Sequence, residues 1–259
     1  MKQNDSLPLD PARTRRARRR GIMLVILAAA SFSISAAFAK TIGTGIPVAE
    51  VIFFRNFFAL VPLLPVVIGA GGLAALRMRK PGSHILRTIF GMTGMVGSFY
   101  GYVYLPLVTV TALGFTMPLF LTLLAIPILG EKVGWRRWLA VLVGFCGVLL
   151  MVRPEQGSTD TQWFALGLCL LGALAWALAM ITIRKMGEAG ESGVAIVFWF
   201  AFFSALLAGI AMIPVWIWPS PTQWALLAGI GLVSAVAQIM MTEAYRSGEA
   251  SLLAPFEYS

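Results

Sequence analysis

Charged side chains are scarce in this sequence: they make up 12% of its 259 residues, and Asp and Glu together number 11. A soluble domain of this length needs far more polar surface, which excludes that class at the outset. Ligand-type residues are scarce too. The single histidine, His84, stands alone in a basic stretch with no ligand partner nearby, and the two cysteines, Cys146 and Cys169, both fall inside apolar runs. A disulfide framework and a metal-ligand spacing are thereby excluded, and the cysteines read as small core residues. No phosphate-cradling loop, nucleophile elbow or His/Asp/Glu cluster is present. The chain is therefore not expected to be an enzyme, and no cofactor is expected.

What the sequence does have is apolar length. Hydrophobic residues make up 59% of the chain, in runs of about 17 to 25, the length a helix needs to cross roughly 30 Å of hydrocarbon. Spans are expected near 21–40, 48–69, 86–105, 108–129, 136–152, 163–184, 193–218 and 223–245. A basic stretch precedes the first run, and Ala37-Phe38-Ala39 has the look of a signal-peptidase site. The run is long for a signal core, however, and seven more follow, so it reads as a retained span. Trp216, Trp218 and Trp224, beside a short loop, read as an interfacial belt.

The net charge of +9 raises the question of nucleic acid, and its placement answers it. With the N-terminus in the cytoplasm, one side collects Lys2, the six arginines of a solvated tail over residues 1–20, Arg77, Arg79, Lys80, Arg87, Lys132, Arg136, Arg137, Arg184, Lys185 and Arg246. The other side receives Lys40 and Arg153, and Arg55 lies within a span, so 17 of the 20 basic residues share one face. That distribution orients membrane helices and leaves no nucleic-acid surface. A multi-pass protein of a bacterial inner membrane follows, with the bilayer as its first partner.

Sliding the sequence on itself gives a weak repeat at an offset of about 140 to 146. Phe57-Phe58-Ala59-Leu60 falls on Phe203-Ser204-Ala205-Leu206, and 110–118 falls on 250–258. A five-span unit is odd-numbered, so its second copy inserts upside down, and inverted repeats mark transporters. The second copy comes up short. A ninth apolar helix starts near Ala250 and reaches Ser259, about 15 Å along, too little to cross the membrane. Ending there would leave unpaired carbonyls in hydrocarbon, so a truncated sequence is expected.

The stretch from Tyr104-Leu105-Pro106-Leu107 through Ala112-Leu113, Phe115-Thr116 and Pro118-Leu119-Phe120 to Gly130-Glu131-Lys132 carries a resemblance. Trp135-Arg136-Arg137-Trp138 and Met151-Val152-Arg153-Pro154 extend it. The chain resembles the EamA-type drug/metabolite transporter superfamily. Phe54-Arg55 and Ala254-Pro255-Phe256-Glu257-Tyr258 look most like the branch that takes up S-adenosylmethionine and riboflavin. The resemblance implies an all-α membrane protein, an inverted-repeat helical bundle of the ten-span type, here with eight full spans and the start of a ninth. Residues 21–154 form the first repeat and 163–259 a shortened second. It also implies a secondary transporter working by alternating access, with a small-molecule substrate resembling S-adenosylmethionine or riboflavin and homodimerisation as an option. The missing end admits a non-transporting membrane partner as the alternative.

Arg55 is the residue that asks most for a function, because a charge within a span is costly to keep. Glu50, five positions away, does not face it well on one helix. Glu257, about 11 Å into the ninth helix, is the expected counter-charge. Tyr100, Tyr104 and Trp176 are expected as an aromatic wall, and Asn56 and Gln238 as amides that orient a ligand. Glu243 and Arg246, three apart, are expected to form an interfacial pair. The glycines Gly91, Gly94, Gly97 and Gly101 permit close helix approach.

Overall fold

The computed structural model describes residues 11–130, 134–151 and 159–247, with Leu253 and Phe256 beyond them. Among these residues there are nine α-helices and no strand: α1 (Pro11–Ile42), α2 (Val48–Gly69), α3 (Pro81–Tyr104), α4 (Leu107–Gly114), α5 (Thr116–Leu129), α6 (Trp135–Met151), α7 (Asp160–Glu188), α8 (Gly193–Met212) and α9 (Pro221–Ser247). Six stretches are long and apolar enough to cross a membrane: Arg19–Gly45, Val48–Gly69, Leu107–Leu129, Asp160–Glu188, Gly193–Val215 and Pro221–Arg246. Without water in the bilayer, a helix alone satisfies its backbone within one segment, so such runs fold as helices.

Of the eight expected spans, those at 86–105 and 136–152 lie on α3 and α6, which are not among these six stretches. Two further elements differ from the sequence expectation. α1 starts at Pro11, ten residues inside the stretch expected to be a solvated tail, because alternating Arg and Ala are good helix formers and extend a helix that the span nucleates. The fourth span is broken into α4 and α5 at Phe115. Pro118 has no N–H for the Gly114 carbonyl, and its ring crowds that turn. The Thr116 hydroxyl instead donates to the Leu113 carbonyl at 2.6 Å.

Helix starts are capped from the sequence. Thr159 and Gln162 form a reciprocal box at α7, the Thr159 N–H donating to Gln162 Oε1 at 3.0 Å, and the Ser192 hydroxyl accepts from the Ala195 N–H at 3.0 Å at α8. Such caps stabilise an end by about 1 kcal/mol.

The helices pair in a definite pattern: α3 lies along α7, α1 along α9, and α2 between α8 and α9. The α3–α7 seam is close-packed. A methyl group on Gly97 would lie 2.5 Å from the Leu168 carbonyl oxygen and 3.0 Å from the Gly172 Cα. Glycine is required there because the backbones touch. Ser35 and Ser234 share a buried hydrogen bond of 2.9 Å across α1 and α9. Outward faces carry bare apolar side chains, Ile68 (74% exposed) and Val143 (64%) among them, as lipid contact requires. Trp216, Trp218 and Trp224 cluster with Phe54, the Trp218 and Trp224 rings 6.4 Å apart, where α2 and α9 begin.

Candidate functional site

A cavity of about 380 Å3 lies among α1, α3, the α4–α5 break and α7. Its wall is built from small, hydroxyl and aromatic side chains, with Phe32, Ser35, Ser98, Tyr102, Thr111 and Trp176 prominent. The helix break contributes Gly114, Phe115 and Pro118 to the same wall. The charge in it is Arg55, 4% exposed. Arg55 sits about two turns into α2, roughly 10 Å from that helix's start.

The guanidinium of Arg55 makes only weak contacts: Nη1 donates to Asn56 Oδ1 at 3.3 Å and to the Met95 sulfur at 3.1 Å. Among the described residues no carboxylate pairs with it. Glu50 is taken up elsewhere, its Oε2 accepting from the Ile217 N–H at 3.1 Å and tying the start of α2 to the loop before α9. An intramembrane cation without an anion is held at a cost of several kcal/mol. Such a group binds a carboxylate or phosphate strongly when one enters.

The other expected site residues are placed as follows. Trp176 lines the cavity, its ring 6.1 Å from Phe32 in an edge-to-face arrangement. Asn56 is buried behind Arg55, donates to the Ile52 carbonyl at 2.8 Å and fixes the guanidinium from the side. Tyr100 and Tyr104 pack on each other with rings tilted at 4.5 Å, and Tyr100 meets Phe164 edge-to-face, outside the lining. Gln238 lies on α9, also outside it, donating to Thr242 at 3.4 Å. Glu257 falls outside the described residues.

Three residues stand where sequence reasoning did not put them. Tyr102, on the face of α3 opposite Tyr100 and Tyr104, is the tyrosine that reaches the cavity. His84 is not alone. The α7–α8 turn folds onto the start of α3, and His84 Nε2 lies 3.6 Å from Glu191 Oε2, both buried. Glu191 also accepts the backbone N–H groups of Arg79 and Lys80, each at 2.7 Å. Burial chiefly holds the His84 pKa below its ordinary 6.5, against the pull of Glu191. The third is Arg87, counted with the loop charges from its sequence position but 1% exposed within α3. It lies 3.9 Å from the Phe200 ring centroid and 5.6 Å from that of Trp176. A cation placed on the face shared by Gly91 and Gly94 was the available signal, since residues four and seven apart line one stripe of a helix.

The cavity wall holds a cation, hydroxyls and rings, and no His, Asp or Glu among its lining residues. It can bind and orient a polar flat molecule; it offers no general base. A bundle of apolar helices around such a cavity defines a multi-pass membrane protein. The chain belongs to the EamA-like transporter family, whose model matches residues 19–153, and this is a family of transporters rather than enzymes.

Named relatives agree on transport and differ on cargo. The S-adenosylmethionine uptake transporter of Rickettsia prowazekii is 32% identical over 238 residues, covering 92% of this chain and 79% of that protein. The riboflavin transporter of Vibrio cholerae is 30% identical over 246 residues, 92% and 80% of the two chains. The pseudopaline exporter of Pseudomonas aeruginosa is 29% identical over 239 residues, 92% and 82%. A solved crystal structure superimposes with a TM-score of 0.73 over 94% of this chain and 84% of the other, at 17% identity, and so shares the fold.

Proposed function

We propose that this chain is a secondary carrier that moves a small organic metabolite across the bacterial inner membrane by alternating access between two inverted repeats, 21–154 and 163–259, with its N-terminus in the cytoplasm. The observation that carries this reading is Arg55, buried and without an acid partner among the described residues, in the wall of a cavity at mid-bundle. The helix pairing supports the inversion: if α1 corresponds to α7, α2 to α8 and α3 to α9, exchanging the repeats turns the α3–α7 pair into the α9–α1 pair and leaves α2–α8 unchanged. The broken span at the cavity supports it as well, since carriers place interrupted helices at their binding sites.

In this reading Arg55 receives the substrate, Asn56 holds the guanidinium in place, and Phe32 and Trp176 stack on a flat ring system. Glu257 is the proposed counter-charge in the empty state. S-adenosylmethionine and riboflavin, the cargoes named for two of the relatives, both present a flat heteroaromatic ring and are the first compounds to try. Labelled uptake of each into cells expressing this chain, beside Arg55→Ala, tests the reading. Uptake that Arg55→Ala abolishes is expected; equal uptake by the variant sinks the role given to Arg55, and uptake of neither compound leaves these two cargoes out and the substrate open.

A further inference from the structure

Arg87 raises a separate question. All three of its guanidinium nitrogens are buried without a hydrogen-bond partner among the described residues, and its neighbours are two aromatic rings, Phe200 and Trp176. Stacking on rings offsets only part of the desolvation of a guanidinium. A group held this way has donors in excess of what the fold uses.

The way to those donors runs through Trp176. Its indole lines the cavity and also lies 5.6 Å from Arg87, which is not itself in the lining. It rests on Gly94, where a methyl group would meet the indole at 2.8 Å, so a bare glycine face gives the ring its seat. Along α3, Arg87 is eight residues from Met95, whose sulfur touches Arg55, or about 12 Å at helical rise. The two cations thus lie at successive depths of one bundle, Arg55 in the cavity wall and Arg87 against Trp176, which lines the same cavity.

We propose that Arg87 is a second anion-binding station, closed off by Trp176 in this arrangement, which receives the carboxylate of a substrate after Arg55 releases it. Rotation of the indole opens the donors to the cavity. A single guanidinium can grip either a carboxylate or a phosphate through two parallel N–H groups, but its one charge balances that of a carboxylate and leaves a phosphate dianion with a net charge in the low-dielectric interior. The substrate class is therefore a carboxylate-bearing metabolite with a flat ring. This inference rests on the carrier reading above and adds the anionic group and the second site.

The test uses the whole chain in proteoliposomes, with S-adenosylmethionine and its decarboxylated analogue as probes, which differ in the carboxylate alone. Wild type is expected to take up the acid at least tenfold faster than the analogue. Arg87→Met, whose side chain refills the slot between the rings, is expected to lose that preference at least tenfold while still binding the acid through Arg55; Arg87→Lys, which keeps the charge, retains most of it. Three outcomes overturn the proposal: a wild type that takes up neither probe or shows no preference for the acid, an Arg87→Met variant that keeps the preference, or one that loses both probes in parallel, as a purely structural arginine would. Riboflavin, which has no carboxylate, separates the two readings. Its uptake by a wild type indifferent to the carboxylate leaves the carrier standing and removes the second station.

Discussion

Substituting Gly97 by alanine tests whether the α3–α7 seam sets the spacing of the bundle. The added methyl would lie 2.5 Å from the Leu168 carbonyl oxygen, against 3.4 Å for ordinary contact, so the helices must part by about 0.9 Å or the methyl must overlap backbone, which cannot rotate away. Overpacking of this kind costs about 1–3 kcal/mol. The rigid backbone on both sides puts Gly97→Ala in the upper part of that range. At about 2–4 °C per kcal/mol for a chain this size, the midpoint of thermal unfolding should fall by roughly 4–12 °C. The control is Gly167→Ala on α7 itself, where nothing lies within 4 Å of the new methyl, and where alanine stabilises a helix by up to about 1 kcal/mol relative to glycine. Both proteins are purified in the same detergent and melted side by side, with the Cys169 thiol as a second readout. That thiol donates to the Gly97 carbonyl at 3.2 Å and should react faster with a maleimide once the seam opens. Equal melting of the two variants would refute the reasoning, because it would mean that the seam relaxes at no cost.

Further outcomes follow from the polar contacts. Glu191→Ala removes the acceptor of two backbone N–H groups, those of Arg79 and Lys80; hydrogen bonds to a charged acceptor contribute about 1.5–3 kcal/mol each, so a loss of at least 3 kcal/mol is expected, with faster amide exchange confined to residues 79 and 80. The depressed pKa of His84 means that the folded state resists the proton that the unfolded chain accepts. Stability should hold above the ordinary value of 6.5 and fall as the pH drops below it, and His84→Gln should flatten that profile in melts from pH 8 to pH 5. Ser234→Ala strands the Ser35 hydroxyl, bonded at 2.9 Å, and should lower stability by about 1 kcal/mol, measured in the same melts.

Much of the fold is legible in the sequence because the bilayer leaves few choices. Apolar length fixes where helices lie: six of the eight expected spans fall on stretches long and apolar enough to cross a membrane, with α2 at Val48–Gly69 as expected. The Glu243–Arg246 pair, at 3.1 Å, follows from i,i+3 spacing alone. Depth and facing were harder to read. Arg87 follows a basic loop, and charge counting placed it there because that rule scores position along the chain and is blind to the helix face. Tyr102 was passed over for Tyr100 and Tyr104 for a related reason: an i,i+4 aromatic pair is conspicuous, yet it packs on itself and on Phe164. His84 needed a partner more than a hundred residues away, which no local pattern contains.

Charge inside this bundle is divided by sign, and the division has a physical basis. Among the described residues the two fully buried carboxylates, Glu50 and Glu191, both bind backbone N–H groups where chain segments meet at the ends of the bundle. A carboxylate is acceptor-only, and the N–H groups left free at loops and helix starts are the donors a membrane protein has to spare. A guanidinium is donor-only. Free carbonyls are available to it only at helix ends, so an arginine in mid-helix meets a backbone whose acceptors are already taken. Arg55 and Arg87 are in that position, left with an amide, a sulfur and two rings. A helical bundle can thus give each buried acid backbone donors for one of its oxygens, while the buried arginines keep donors to offer. That asymmetry gives the interior a positive field, and an anionic group entering the cavity gains more from it than the protein can supply internally.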